Sequence, residues 1–205
     1  MNTRLLTLPV VAALSLTTAY GTSAGAATGA SGAAVTAGVV QAPKPTPASS
    51  PVGPGCSSLP QSGPGSVADL GRLRVVTAAA HSPDLSTFYS AVNKAGLVNK
   101  LNTTKDITVF APTNDAFKKL GKRKLDKLLA DKNALTKVLT YHVVQGRKTP
   151  DDLKRGSFTT LEGGKITTRN SRNKIKVNDA QAVCGNLQTR NATLYLIDGV
   201  LTPKK

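Results

Sequence analysis

His142 is the residue of this chain whose type first invites chemistry, because imidazole is the side chain whose ordinary pKa lies closest to neutrality. It follows Tyr141 at the end of an apolar helical pattern carried by Leu135, Val138 and Leu139. His142 lies four positions after Val138 and seven after Leu135, so it points with them toward a core. Two readings stand side by side. A buried neutral imidazole would hydrogen-bond a backbone group and pin the helix end to Val143-Val144, whereas an exposed one would offer a contact surface. The other histidine, His81, falls in a polar turn, His81-Ser82-Pro83-Asp84. No Gly-x-Ser-x-Gly elbow accompanies either histidine. Glu162 is the only Glu and sits in a turn, and Asp151-Asp152 reads as the cap of a short helix before Leu153. No Gly-rich phosphate loop follows a strand. Nothing here demands catalysis, a metal or a cofactor.

The next candidates are cationic. Lys118, Lys119, Lys122, Arg123, Lys124 and Lys127 place six positive charges in ten positions, relieved within them only by Asp126. The leucines at 120, 125, 128 and 129 are expected to be buried, which leaves the charges the outer surface. Lys165, Arg169, Arg172, Lys174 and Lys176 form a second group on one hairpin. Solvated faces are the plain reading of both groups. The functional reading is a docking surface for a polyanion, with binding that weakens steeply in salt. The whole chain agrees with either: 27 basic against 11 acidic residues give +16, and every acidic residue lies at or beyond Asp69. Such a field favours acidic partners or simply maintains solubility. Four Phe, four Tyr and no Trp argue against a platform that stacks nucleic-acid bases.

The amino end reads as an address. Arg4 supplies a positive region, Leu5 to Ala19 an apolar run broken by Pro9, and Ala24-Gly25-Ala26 a cleavage site, so 1–26 is expected to be a secretory signal peptide. The run is too short and too interrupted for a membrane span. Residues 27–55 are rich in Ala, Gly, Ser, Thr and Pro, a composition expected to remain a disordered linker. A domain over 56–205 follows. Its two cysteines, Cys56 and Cys184, lack Cys-x-x-Cys spacing, and two thiols in an exported chain most often form one structural disulfide. Metal binding is the weaker alternative, because neither histidine lies at ligand spacing from a cysteine.

The elements that must position these residues follow from periodicity. Val67 to Ala80 reads as one helix, and Leu85, Phe88, Val92 and Ala95 form the stripe of a second, interrupted at Gly96. Ile107 to Phe110 is a strand that stops at Ala111-Pro112, after which Thr113-Asn114-Asp115 suit a helix cap ahead of Ala116 and Phe117. Lys124 to Ala130 and Asn133 to Tyr141 are helices. From Phe158 the period becomes two, with Ile166, Ile175 and Val177 alternating with lysines, and turns at Glu162-Gly163-Gly164 and Asn170 to Asn173. Thr193 to Ile197 is apolar on both faces and reads as a central, covered strand. Helices first and strands later make an α+β domain.

Three of these pieces together carry a family resemblance. Thr108 to Phe117, the pair Tyr141-His142, and Asn191-Ala-Thr-Leu-Tyr-Leu-Ile-Asp-Gly-Val-Leu201 resemble, in that order, the signatures of the fasciclin-like domain family. The resemblance implies a wedge of two β-sheets with helices packed along one edge. Gly53-Pro-Gly-Cys56 and Val183-Cys184-Gly185 are also similar to segments of small exported actinobacterial antigens that hold one such domain closed by one disulfide. In relatives the Tyr-His pair and its apolar flanks are tied to adhesion, which carries over here to Leu139, Tyr141, His142, Val143 and Val144. The implied function is a secreted or cell-surface adhesion module without catalysis, monomeric, binding a surface or matrix protein or an anionic glycan or wall polymer. The alternative is a carrier of an apolar, carotenoid-like molecule in a cleft. Relatives are not generally so basic, so the two cationic groups belong to this chain. Asn102-Thr103-Thr104 and Asn191-Ala192-Thr193 match the glycosylation pattern, and no glycan is inferred from either.

Overall fold

A computed structural model describes residues 50–171 and 174–203. The expected signal peptide, residues 27–49 of the expected linker, and Arg172 lie outside these described residues.

Helices dominate the first half. The apolar run from Val67 forms two helices, not the single one expected: α1 (Val67–Arg72) and α2 (Val75–His81), with Leu73 and Arg74 extended between them. The break has a long-range cause. Arg190 donates its backbone N–H to the Leu73 carbonyl at 2.8 Å, and the Asn191 side chain accepts the Val75 N–H at 2.9 Å. Asn191 thus caps α2 from 116 positions away. Next come α3 (Ser86–Ala95), closed by Gly96 at φ 74°, and α4 (Val98–Thr103). The first strand, β1 (Ile107–Pro112), passes into α5 (Asn114–Leu120), whose cap is Thr113, accepting the Ala116 N–H. α6 (Lys122–Ala130) and α7 (Lys132–Tyr141) complete the set, and Asp131 caps α7 through the Asn133 and Ala134 N–H groups. Leu120, Leu125, Leu128 and Leu129 are only half-buried, because α6 lies along the rim of the core. Asp151-Asp152 does not open a helix. Residues 150–153 form a turn in which the Asp152 carboxylate reaches back to accept the Thr149 N–H at 2.8 Å.

The strands β2 (Val143–Gln145), β3 (Arg155–Thr159), β4 (Lys165–Ser171), β5 (Lys174–Val177), β6 (Ala180–Gln188) and β7 (Ala192–Ile197) join β1 in the order β2-β1-β7-β6-β5-β4-β3. Only β1 and β7 run parallel. β6 pairs with β5 at its start and with β7 along the rest. Two register shifts between Ala182 and Leu187 bend β6 there. The sheet therefore folds into two halves that share β6, and a bridge from Val144 to Thr160 brings the far edge back to β2. This is the expected α+β wedge.

Two cores result. Ile107, Val109 and Ala111 of β1 and Leu194 and Leu196 of β7 face the helices. Phe110, Tyr195 and Ile197 face the interior of the bent sheet with Ile166, Ile175 and Val177. Strand alternation thus leaves β7 buried along its whole length. Tyr195 needs room that only glycine leaves: a Cβ on Gly185 would stand 2.2 Å from its ring.

Cys56, in a 3₁₀ turn (Pro54–Ser58), is bridged to Cys184 between the two shifts of β6, with Cα atoms 4.8 Å apart. Packing reaches back beyond the bridge, since Val52 and Gly185 exchange backbone hydrogen bonds at 3.0 and 2.8 Å.

Two predictions follow from the packing. The bridge spans 128 positions, for which loop closure contributes about 4–5 kcal/mol. Reduction should therefore lower the melting temperature clearly, and an unchanged melt would show the bridge to be energetically idle. Thr168 is 2% exposed, and its hydroxyl has no hydrogen-bond partner among the described residues. Thr168→Val should be neutral or stabilise by up to about 1 kcal/mol in denaturant melts, where an ordinary buried threonine would cost stability.

Candidate functional site

His142 closes α7. Its backbone N–H still donates to Val138 and Leu139, while its carbonyl accepts the Phe110 N–H of β1 at 2.9 Å. The ring, fully buried, donates from Nδ1 to the Val138 carbonyl at 2.7 Å and accepts the Leu201 N–H at Nε2, 2.9 Å away. One residue thereby joins the end of α7, strand β1 and the segment after β7. The arrangement needs a neutral imidazole, since an Nε2 proton would face the Leu201 N–H. Burial lowers the ring pKa to about 4, against the raising effect of the Val138 bond.

Tyr141 makes a parallel link. Its hydroxyl donates to the Lys165 carbonyl at 2.8 Å and accepts from Asn178 Nδ2 at 3.2 Å, tying α7 to the β4–β5 half of the sheet. Leu139, Val143 and Val144 are buried with them. None of the five residues named from the Tyr-His motif offers more than a trace of side-chain surface. The motif sits inside the domain.

The glycosylation patterns are occupied in the same way. Asn191 accepts from Val75 and donates to the Leu101 and Thr104 carbonyls, and the Asn102 side chain accepts the Val76 N–H. His81 holds Asp69 at 2.9 Å, with no hydroxyl or thiol against its other ring nitrogen among the described residues. No group of three metal-ligating side chains occurs among those residues.

The cationic residues form two separate surfaces. On α5 and α6, Lys118 pairs with Asp115 at 2.8 Å and Lys119 with Asp198 at 3.1 Å. Burial raises the Asp198 pKa, but the Gln181 N–H and Lys119 outweigh it and the net shift is downward. Lys122, Arg123, Lys124 and Lys127 are exposed, with no ion-pair partner among the described residues. Lys165, Arg169, Lys174 and Lys176 line the outer face of β4 and β5, and their neighbours Ile166, Thr168, Ile175 and Val177 point inward. Arg155 of β3 belongs with them, because it pairs in register with Arg169. Sequence reasoning missed it, since its only signal is a pairing across the Glu162 turn.

A fasciclin domain model matches residues 83–203. The chain is 40% identical over 167 residues to the immunogenic protein MPB70 of Mycobacterium bovis, covering 78% of this chain and 86% of that one. It is 42% identical over 165 residues to the cell surface glycolipoprotein MPB83 of the same organism, covering 77% and 74%. Among solved structures, a domain pair from the insect cell adhesion molecule Fasciclin I aligns at a TM-score of 0.56 and 16% identity. That alignment covers 65% of this chain and about half, 52%, of the solved pair, and it shows a shared fold.

The buried imidazole makes two joint predictions. His142→Ala should cost about 2–3 kcal/mol, through lost packing and two orphaned buried backbone groups. Because the folded-state pKa lies below the unfolded value of 6.5, the unfolded chain binds the extra proton between the two. Stability should therefore fall as the pH drops from about 6.5 toward 4, by up to about 3 kcal/mol, and this part should vanish in the variant. Denaturant melts of both proteins across that window measure it, and parallel pH profiles would refute it.

Proposed function

The chain belongs to the fasciclin domain family, and from that premise we propose that it is a secreted or cell-surface adhesion module without catalysis, docking on anionic polymers through its basic surfaces. The observation that carries the reading is the separation of the two kinds of residue. The Tyr-His motif is consumed inside the fold, while the cations stand outside it, most of them, Lys118 and Lys119 excepted, with no ion-pair partner among the described residues. Adhesion by this domain therefore falls to the surface charges, and the Tyr-His pair supports it by holding the domain together. A secreted location agrees with MPB70 and MPB83, named as an immunogenic protein and a cell surface glycolipoprotein. No described helix is long and apolar enough to cross a membrane.

A second reading rests on a cleft of about 540 Å³ between the disulfide turn and α1, lined by Pro51, Leu59, Pro60 and Val67 with Asn186 and Gln188 as polar anchors. Its size and lining suit a small apolar ligand. Protein purified from its own host would then carry a visible chromophore or an extractable apolar molecule, and clean material removes this reading.

The charge reading predicts retention on heparin and phosphocellulose at low salt, with elution as the salt rises. Pull-downs on native envelope and matrix polymers across the same salt series should follow that order. Passage of the domain unretained through both columns would leave its charges with solubility alone.

A further inference from the structure

We propose that the outer face of β3-β4-β5 is a phosphate-chain site built on one cross-strand row, Arg155–Arg169–Lys176. The inference rests on the polyanion reading above and assigns that binding to one of the two surfaces. Arg155 pairs with Arg169, and Arg169 with Lys176, each directly opposite the next. All three are exposed, with no ion-pair partner among the described residues. Like charges set directly opposite on adjacent strands repel and destabilise the pairing. A row of three is a standing cost that an oxyanion relieves.

The nearby carboxylates do not relieve it. Asp151 is held by Lys154 at 2.8 Å, and Asp152 is engaged by the Thr149 N–H and hydroxyl. Asp179, exposed beyond the end of β5, lines one concavity with Arg169 and Lys176 and forms no ion pair with any of the three. Concavities of about 500 and 470 Å³ flank the row, and Arg169 lines both.

Chemistry selects the occupant. Two of the three cations are guanidinium forks, which grip phosphoryl oxygens in pairs. Strand spacing sets the Cα positions of the three about 5 Å apart over about 10 Å, which suits a ligand that repeats its charge at a short pitch. Ser157 and Thr159 on the same face add neutral donors, whereas the Thr167 hydroxyl already donates to Asn178. The face offers no exposed aromatic ring for base stacking and no exposed apolar side chain for membrane insertion. A polyphosphate-type chain fits all of these, and a single-stranded nucleic acid held by base stacking or a bilayer entered by apolar side chains does not. The α5–α6 surface is the weaker candidate, because Lys118 and Lys119 already hold carboxylates.

Inorganic polyphosphate is the probe, titrated across a salt series into three folded proteins whose melts are checked first. These are the wild type, the row variant R155Q/R169Q/K176Q, and the helix variant K122Q/R123Q/K124Q/K127Q. The row variant should bind at least tenfold more weakly, with its log–log salt slope flatter by about 2. The helix variant, although it loses one charge more, should stay within about twofold of wild type. Equal weakening of both variants, or an unaffected row variant, overturns the row while the polyanion reading stands. Heparin or phosphatidylglycerol vesicles bound more tightly than polyphosphate would overturn the ligand assignment. A wild type that binds neither polyphosphate nor heparin sinks the polyanion reading itself.

Discussion

Burial of β7 and β1 on both faces is the constraint from which the rest of the domain follows. Two strands covered on each side leave no solvent for the polar groups at their ends, so every such group must find a partner inside. His142 meets that demand at one end, linking the Val138 carbonyl, the Phe110 N–H and the Leu201 N–H. Asn191 meets it at the other, capping α2 and taking the Leu101 and Thr104 carbonyls. Arg147 completes the second end. Its guanidinium donates to Asp106, to the Gln188 side chain and to the Ala192, Thr189 and Arg190 carbonyls, using every N–H it has. The His142 and Asn191 side chains are expensive to bury and more expensive to strand, which makes the interior intolerant of change.

That intolerance divides the molecule. The Tyr-His pair and its apolar flanks are committed to the interior, so their side chains offer no contact surface in the folded domain. The surface of this chain carries two groups of cations. The α5–α6 cluster is partly neutralised from within the fold, whereas the β3-β4-β5 row is held at fixed spacing by strand register and left unneutralised.

Local patterns in the sequence revealed much of this. The strand that ends at Pro112 and the Thr113 cap depend on neighbouring residues, as do the stripe of α7 and the alternation of β4 and β5, and all were legible. The helical phase that His142 shares with Leu135 and Val138 pointed its ring toward the core, while its exposure stayed open between two readings. Features set by distant partners were not legible. The division of the 67–80 run into α1 and α2 is imposed by Arg190 and Asn191, and nothing in the run itself announces it. Leu125, Leu128 and Leu129 have a good apolar stripe, yet their exposure depends on how much core lies beneath α6. The demand for glycine at 185 comes from the Tyr195 ring on the next strand, and the row that includes Arg155 comes from sheet register.

The buried ring of His142 reports directly on whether the Tyr-His pair works from inside the domain. Nitrogen-15 NMR of the imidazole between pH 5 and 8 should show a single neutral tautomer with the proton on Nδ1, unchanged through the pH at which a free histidine titrates. A ring that titrates with a midpoint near 6.5, or that exchanges between tautomers, would place His142 in contact with solvent and contradict the account.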